Sequence, residues 1–334
     1  MRNSKLSSNG SIKIPFQKSP TTFLEQVDKL LGKGLNVSNR YEVAKKLSVI
    51  GYYHLTPYWI PFYKDKNKHN FIEDTTIDDV LNIYYFDRNL RSIVFSAISF
   101  FEVYFKTIFA NYLSVKYSDP FVLLRSNLFK NKDFYHNSLE MLKMSFDNSR
   151  EEFANHFRKK YKEELPPIWV AVELMTLGEI SKWYSNLKRP EDKIKISRNF
   201  DLTSSDMTVF LKSISYIRNI CAHNCRLWNR AIKAPQKQVS ENSQLYKLLN
   251  YESKVDDTKE DFRIYNPLTT LFFCINQYNN SGKEFVNQIT QEIEKRKIDT
   301  KDMGFPDNWK EISIWKQWYS SKIYECDKNA RTEH

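Results

Sequence analysis

Arg218, Asn219 and His223 form an Arg-Asn-x-x-x-His pattern, and these residue types suit cleavage of a phosphodiester without a metal. An imidazole titrates near neutrality and can give or take a proton. A guanidinium offers a two-pronged fork to phosphate oxygens and to the charge that develops on them. RNA brings its own nucleophile, the 2′-hydroxyl, so the protein needs only a base, an acid and a cation. One imidazole cannot easily serve both sides of the phosphorus. A second copy from a second subunit would solve that, so a homodimeric site is expected.

The pattern sits on a strongly periodic segment. Met207, Phe210, Leu211, Ile214, Ile217 and Cys221 recur at three- and four-residue spacing and define a buried stripe. Lys212, Tyr216, Asn219, His223 and Arg226 repeat at 4-3-4-3 spacing and define a polar stripe beside it. On a helix, Asn219 and His223 are one turn apart on the same side, and Arg218 is rotated about 100° from Asn219, at the border of the apolar face. Ser204 or Ser205 is the expected cap. Two plainer readings stand beside the chemical one. A histidine near a helix end can simply cap it, and Arg218 can be a structural partner of Glu102 or Glu173. Cys221-x-His223-x-Cys225 also resembles a zinc half-site, but its spacing on one helix splays the middle group away, and no second Cys/His pair completes four ligands. No metal or other cofactor is expected.

Composition narrows the fold. The 334 residues allow about two domains or one large helical unit. Glycine numbers 7, where average usage of about 7% would give roughly 23, and few glycines means few tight turns with positive φ. That argues against a Rossmann sheet, a P-loop enzyme or a many-hairpin β fold, and for helices joined by polar loops. The formal net charge of +11 calls for an anionic partner, with nucleic acid first and a membrane surface second. The four cysteines do not make a secreted disulfide framework, and Met1 to Pro20 has no apolar signal segment. The most apolar stretch, Ile93 to Leu113, has spanning length but contains Glu102, Lys106 and Asn111, with Glu102 and Lys106 one turn apart as an ion pair. It reads as a core helix, and the chain as cytoplasmic with no membrane partner.

Along the chain, residues 1–20 form a flexible basic tail. A helix from Thr22 ends at Gly32 and Gly34. A second, capped by Ser38, ends at Gly51. Tyr52 to Trp59 is an aromatic block interrupted by Pro57, expected as an irregular packed segment, with base stacking as a second use. Thr76 and Asp79 open a helix that reaches Leu90 or runs on toward Tyr117, with Asp87 and Arg91 paired at i, i+4. Mixed-charge helical pieces fill 130–163. Pro166-Pro167 starts a helix through Trp169, Val172, Glu173, Leu177 and Ile180 to Leu187. Further helices fall near 263–278, 282–297 and 306–322.

Four blocks then carry a resemblance: Gly51-Tyr52-Tyr53-His54-Leu55 with Tyr58; Tyr85-Phe86-Asp87-Arg88-x-Leu90-Arg91; Pro167-x-Trp169 with Glu173 and Gly178; and Arg218-Asn219-x-Cys221-Ala222-His223-x-x-Arg226-Leu227-Trp228-Asn229-Arg230. In this order they resemble the Abi-like (AbiD/AbiF) proteins of abortive infection, placed in the HEPN superfamily. The likeness covers about residues 22–235. It implies an all-α HEPN-type bundle, to which the helical patterns past residue 235 add further C-terminal helices. The domains would be a helical domain at 21–235, a helical extension at 236–325 and a loose tail at 326–334. It further implies metal-independent endoribonuclease activity in a dimer, centred on Arg218, Asn219 and His223, in a phage-defence toxin that a structured small RNA binds and restrains. Lys212, Tyr216, Arg226 and Arg230 are then expected to bind the RNA backbone, and Asp87, Arg91, Glu102 and Glu173 to support the site. The rival readings are a ribonucleoprotein that holds a small RNA without cutting it, and a protein-interaction bundle with a structural Arg-His pair.

Overall fold

A computed structural model describes residues 15–65, 67–232, 239, 243–251, 254–256 and 259–316. The expected loose tail at 326–334 and all but the end of the basic tail lie outside these. The fold is all-α, with two small antiparallel ladders. Backbone contacts divide the chain into two compact units, Met1–Tyr84 and Tyr85–His334.

In the first unit, α1 (Phe23–Leu31) opens with a capping box in which Thr22 and Glu25 satisfy each other's backbone amides. Helix α2 (Arg40–Ile50) is capped by Asn39 rather than Ser38. The Asn39 carboxamide oxygen accepts from Tyr41 N at 3.0 Å and Glu42 N at 3.3 Å. Gly51, at φ 90°, makes the turn that a side chain would strain.

The aromatic block that follows is helical, not irregular: α3 spans Tyr52–Trp59 and keeps Pro57 inside it. Leu55, Tyr58 and Trp59 fall at i, i+3 and i+4 and are buried. Each large ring removes about 150–250 Å² from water, worth about 4–6 kcal/mol at about 25 cal/mol/Å². That exceeds the roughly 3 kcal/mol penalty of an interior proline. Strands β1 (Tyr63–Asp65) and β2 (Asn70–Phe71) then pair antiparallel. Thr76 and Asp79 form the expected box at the start of α4 (Ile77–Tyr117).

Helix α4 continues into the second unit as its central element. It is long and apolar enough to cross a membrane, and here its stripe of Phe86, Leu90, Val94, Ala97, Phe101, Phe105 and Phe109 is buried in the core. The Glu102–Lys106 pair forms at 2.9 Å. After α5 (Lys132–Asn148) and α6 (Glu152–Lys160), the helix expected from Pro167 to Leu187 is broken in two. A single turn, α7 (Ile168–Ala171), tightens into a 3₁₀ turn at Val172–Leu174 before α8 (Leu177–Asn186) restarts. The break is set by Thr176-x-x-Glu179, a capping box inside the run. The Thr176 hydroxyl accepts from Glu179 N at 3.3 Å, and the Glu179 carboxylate accepts from Thr176 N at 2.6 Å.

Helix α9 (Pro190–Ser197) leads to α10 (Ser204–Ala222), the helix that carries the polar stripe. Its cap is Thr203, one residue before the expected serines, accepting from Asp206 N at 3.1 Å. Beyond a second ladder, β3 (Lys254–Asp256) with β4 (Lys259–Phe262), come α11 (Tyr265–Asn279) and α12 (Gly282–Arg296). The helix expected at 306–322 appears as a 3₁₀ turn at Trp309–Glu311 and a helical start at 313–316. Its remainder lies outside the described residues.

Helix α10 is the hub of this unit, packing on α8, α9 and α11. Contacts of α10 and the segment after it with α4 run antiparallel: Asp87 meets Leu227 and Trp228 beyond the helix end, Phe95 meets Arg218, and Phe101 meets Phe210 with ring centroids 5.2 Å apart. The predicted apolar stripe from Met207 to Cys221 is buried throughout.

Candidate functional site

Asn219 and His223 are exposed on consecutive turns at the end of α10, and Arg218 is half-buried beside them. The helix stops there because the backbone turns left-handed at Asn224, at φ 52°. Cys225 N donates to Ile220 O at 3.0 Å and Asn224 N to Cys221 O at 3.2 Å. This pair of bonds is a Schellman motif with asparagine at the position usually held by glycine. His223 is therefore the C-cap residue, as the plainer sequence reading had it. Capping uses its backbone, and its imidazole has no hydrogen-bond partner among the described residues.

The early stop corrects the expectation that Arg226 continues the polar edge. Arg226 lies past the turn, half-buried. Alanine at Asn224 would hold a β-carbon in the left-handed region, which disfavours L-residues by about 1–2 kcal/mol. Asn224→Ala is expected to lower stability by about 1 kcal/mol, and Asn224→Gly to be neutral or mildly stabilising. Chemical denaturation of the two variants checks this.

Arg218 makes no ion pair among the described residues. Its guanidinium carbon lies 5.8 Å from the Phe95 ring centre, and it reaches the Asn219 side-chain oxygen at 3.5 Å. Neither expected carboxylate partner is with it. Glu102 is paired with Lys106, on the part of α4 that faces Phe210 rather than Arg218. Glu173 is exposed on the 3₁₀ turn created by the break before α8, so it is not a buried support.

Asp87 and Arg91 lie against the segment that follows His223. Both are buried and form an ion pair. The Asp87 carboxylate also accepts from Leu227 N at 3.1 Å and Trp228 N at 2.6 Å. A charged acceptor thus pins the segment that leaves the helix just after His223. Two sequence blocks some 140 positions apart, around Asp87 and around Leu227-Trp228, are in this way one structural unit.

The segment is pinned again further on. Asn229, also left-handed at φ 50°, donates to Asp302 at 3.2 Å and accepts from Arg263. Burial, then the neighbouring Asp299, raises the Asp302 pKa, while Arg263 and Arg226 oppose that rise. Arg230 turns back, its Nε donating to the Tyr216 hydroxyl at 3.3 Å with the guanidinium over the ring. Tyr216 and Arg230, both expected to bind RNA, are therefore joined. Lys212 stands one turn before Tyr216 along the helix, at the rim of an open groove. Asn224, Asn229, Arg263 and Asp302 were missed by sequence reasoning. Asn229 entered the sequence reading only as part of a resemblance block, and Arg263 and Asp302 lie in a C-terminal region whose helical pattern gave no sign of a link to the site.

Cys221 is buried next to Asp87 and Arg91, and its thiol is pushed up to about 12 by burial first and the Asp87 charge second. His223 and Cys225 are exposed. The three side chains of the zinc alternative therefore do not share one environment, and no cluster of three metal-binding side chains occurs among the described residues.

Residues 45–229 match the Abi-like protein family, and this span holds three of the four blocks whole together with the Asp87 tie. The chain belongs to the Abi-like family. Membership points to abortive infection, a phage-defence response. Comparison with curated proteins and with solved structures gives no match.

The chemistry of the site follows from its charges. The carbonyl end of a helix is a poor place for an anion and a good one for a cation. A phosphate held near His223 would need the attraction of surrounding side chains, and the Arg218 guanidinium beside Asn219 is placed to supply it. No carboxylate pairs with Arg218 among the described residues, so its fork is open to an incoming anion.

Proposed function

We propose that this Abi-like protein is a HEPN-type, metal-independent endoribonuclease of phage defence. One observation carries the reading: an exposed imidazole and carboxamide on adjacent turns, next to a guanidinium with no acidic partner among the described residues. Arg218 and Asn219 hold the phosphate, and His223 moves the proton. The 2′-hydroxyl attacks the adjacent phosphorus and the 5′-oxygen leaves, giving a 2′,3′-cyclic phosphate and a 5′-hydroxyl. Among the described residues a protomer exposes one imidazole here, so a second copy of the chain supplies the opposite proton role. Arg226, Arg230, Tyr216 and Lys212 contact the strand. The protein works in the cytoplasm as a toxin that a structured small RNA restrains, with no membrane partner.

A second reading is supported by the same solitary imidazole: a ribonucleoprotein component that holds a small RNA without cutting it. Purification from cells followed by extraction of bound nucleic acid, and incubation of the protein with labelled RNA in excess EDTA, tests both. The nuclease reading expects cleavage that EDTA does not stop and His223→Ala does. A discrete bound RNA with no cleavage of any added strand favours the second reading. Absence of bound RNA and of cleavage removes both.

A further inference from the structure

Between α8 and α10, with Phe134 of α5 at one side, lies an open groove of about 430 Å³, inside the roughly 300–1,000 Å³ range of ligand sites. Lys182 and Lys212 stand at its rims, both exposed, and none of its lining residues is acidic. Thr208 and Ser215 face it from α10 but turn their hydroxyls back to their own helix, at 2.8 Å to Ser204 O and 2.6 Å to Leu211 O. What they present is mostly carbon. The groove thus has apolar walls and a cationic rim, the two surfaces that a base and its phosphates need.

Gly178 forms part of the α8 wall, and nothing in the backbone requires a glycine there. Its φ is not positive, and a β-carbon would meet nothing closer than the Thr176 hydroxyl at 3.8 Å. Gly178 is the second residue of α8, and the lack of a side chain there keeps this part of the groove open.

Continuity with the candidate site indicates the occupant. Thr208, Lys212, Ser215 and Asn219 follow one another at helical spacing, and His223 comes one turn later. All five fall within about 80° of arc on α10, and Lys212 precedes Asn219 by about 10 Å along the axis. A strand lying on this edge passes from the groove to the imidazole without leaving the helix.

We infer that the groove is a subsite for single-stranded RNA. It takes one base against Phe134, with flanking phosphates on Lys182 and Lys212, in a strand that continues to His223. The subsite rests on the proposed RNA chemistry of Arg218, Asn219 and His223 and adds a position that sets strand register.

Fluorescence anisotropy with a short labelled single-stranded RNA across a salt series tests it, using full-length protein. Gly178→Leu fills the groove from a position with room for a side chain and should weaken binding about tenfold or more, the worth of one stacked base. Lys182→Ala/Lys212→Ala should lower the salt slope by about 1.4, or 0.7 for each single-strand phosphate contact. Lys29→Ala/Lys45→Ala removes the same charge from α1 and α2 and should leave the slope unchanged. Thermal melts confirm that each variant folds, and if Gly178→Leu does not, Gly178→Met in its place carries the same expectation. Salt-sensitive binding by the wild type that the groove variants share in full overturns the subsite and leaves the RNA reading standing. Equal slopes for the two lysine pairs also overturn the subsite. A wild type that binds no RNA overturns both.

Discussion

Replacing His223 with alanine is expected to abolish RNA cleavage while leaving the protein folded. A positioned general acid or base contributes about 10²- to 10⁴-fold to a rate, so single-turnover cleavage of a labelled RNA should fall by that factor. Growth arrest on expression should disappear with it. Stability should hardly move, because the imidazole is exposed and unpartnered among the described residues and the cap is made by backbone. Surface changes of this kind stay within about 0.5 kcal/mol. The contrast is the diagnostic feature. A structural histidine would lose melting temperature along with activity, whereas this one should lose activity alone. A His223→Ala protein that still arrests growth and cuts RNA removes His223 from the reaction.

Asp87→Asn is expected to do the reverse, with a large loss of stability and activity lost as a consequence. The substitution keeps the side-chain volume but removes the charge that faces Arg91 and receives two backbone amides. Breaking a buried pair from one side costs about 3–5 kcal/mol, because the remaining charge is stranded away from water. At about 2–4 °C per kcal/mol for a unit of this size, the melting temperature should drop by roughly 6–20 °C. Below the melting transition, cleavage should also be slower, since the turn after His223 loses its anchor. Calorimetry beside a cleavage assay at low temperature checks both parts. A melting temperature within a degree or two of the wild type would mean that Asp87 does not hold the Leu227–Trp228 segment.

The two expectations draw on different parts of what the sequence disclosed. The α10 stripes were readable because three- and four-residue spacing is a local property, and Met207 to Cys221 are buried as that spacing requires. Asp87–Arg91 and Glu102–Lys106 were readable for the same reason, each a pair within one turn. The attachment of Asp87 to the amides of Leu227 and Trp228 was not, because it joins positions far apart and uses backbone donors that every sequence has. Arg226 was placed on the helix edge by extrapolating a period past its end. The left-handed turn at Asn224 ended that period, and asparagine signals such a turn more weakly than glycine.

Glu173 was called a buried support from a run that looked like one helix. Thr176-x-x-Glu179 carried the capping signal that divides it, and the apolar residues on either side obscured that signal. In Tyr52–Trp59 the proline outweighed the spacing of Leu55, Tyr58 and Trp59 in the sequence reading, and in the fold the buried rings outweigh the proline. The C-terminal residues gave helices but no purpose. Arg263 and Asp302 give them one, holding Asn229 from both sides directly after the candidate site.

The nature of the ends left on a cut RNA tests the central claim most directly. Wild-type protein is incubated in excess EDTA with an RNA and with a matched strand carrying one 2′-deoxynucleotide at the cleaved position. Mass spectrometry of the fragments should find a 2′,3′-cyclic phosphate or its 3′-phosphate product opposite a 5′-hydroxyl, and the deoxy strand should stay whole. Fragments with a 5′-phosphate and a free 3′-hydroxyl, or cleavage of the deoxy strand at that link, would contradict attack by the 2′-hydroxyl and with it the role given to Arg218, Asn219 and His223.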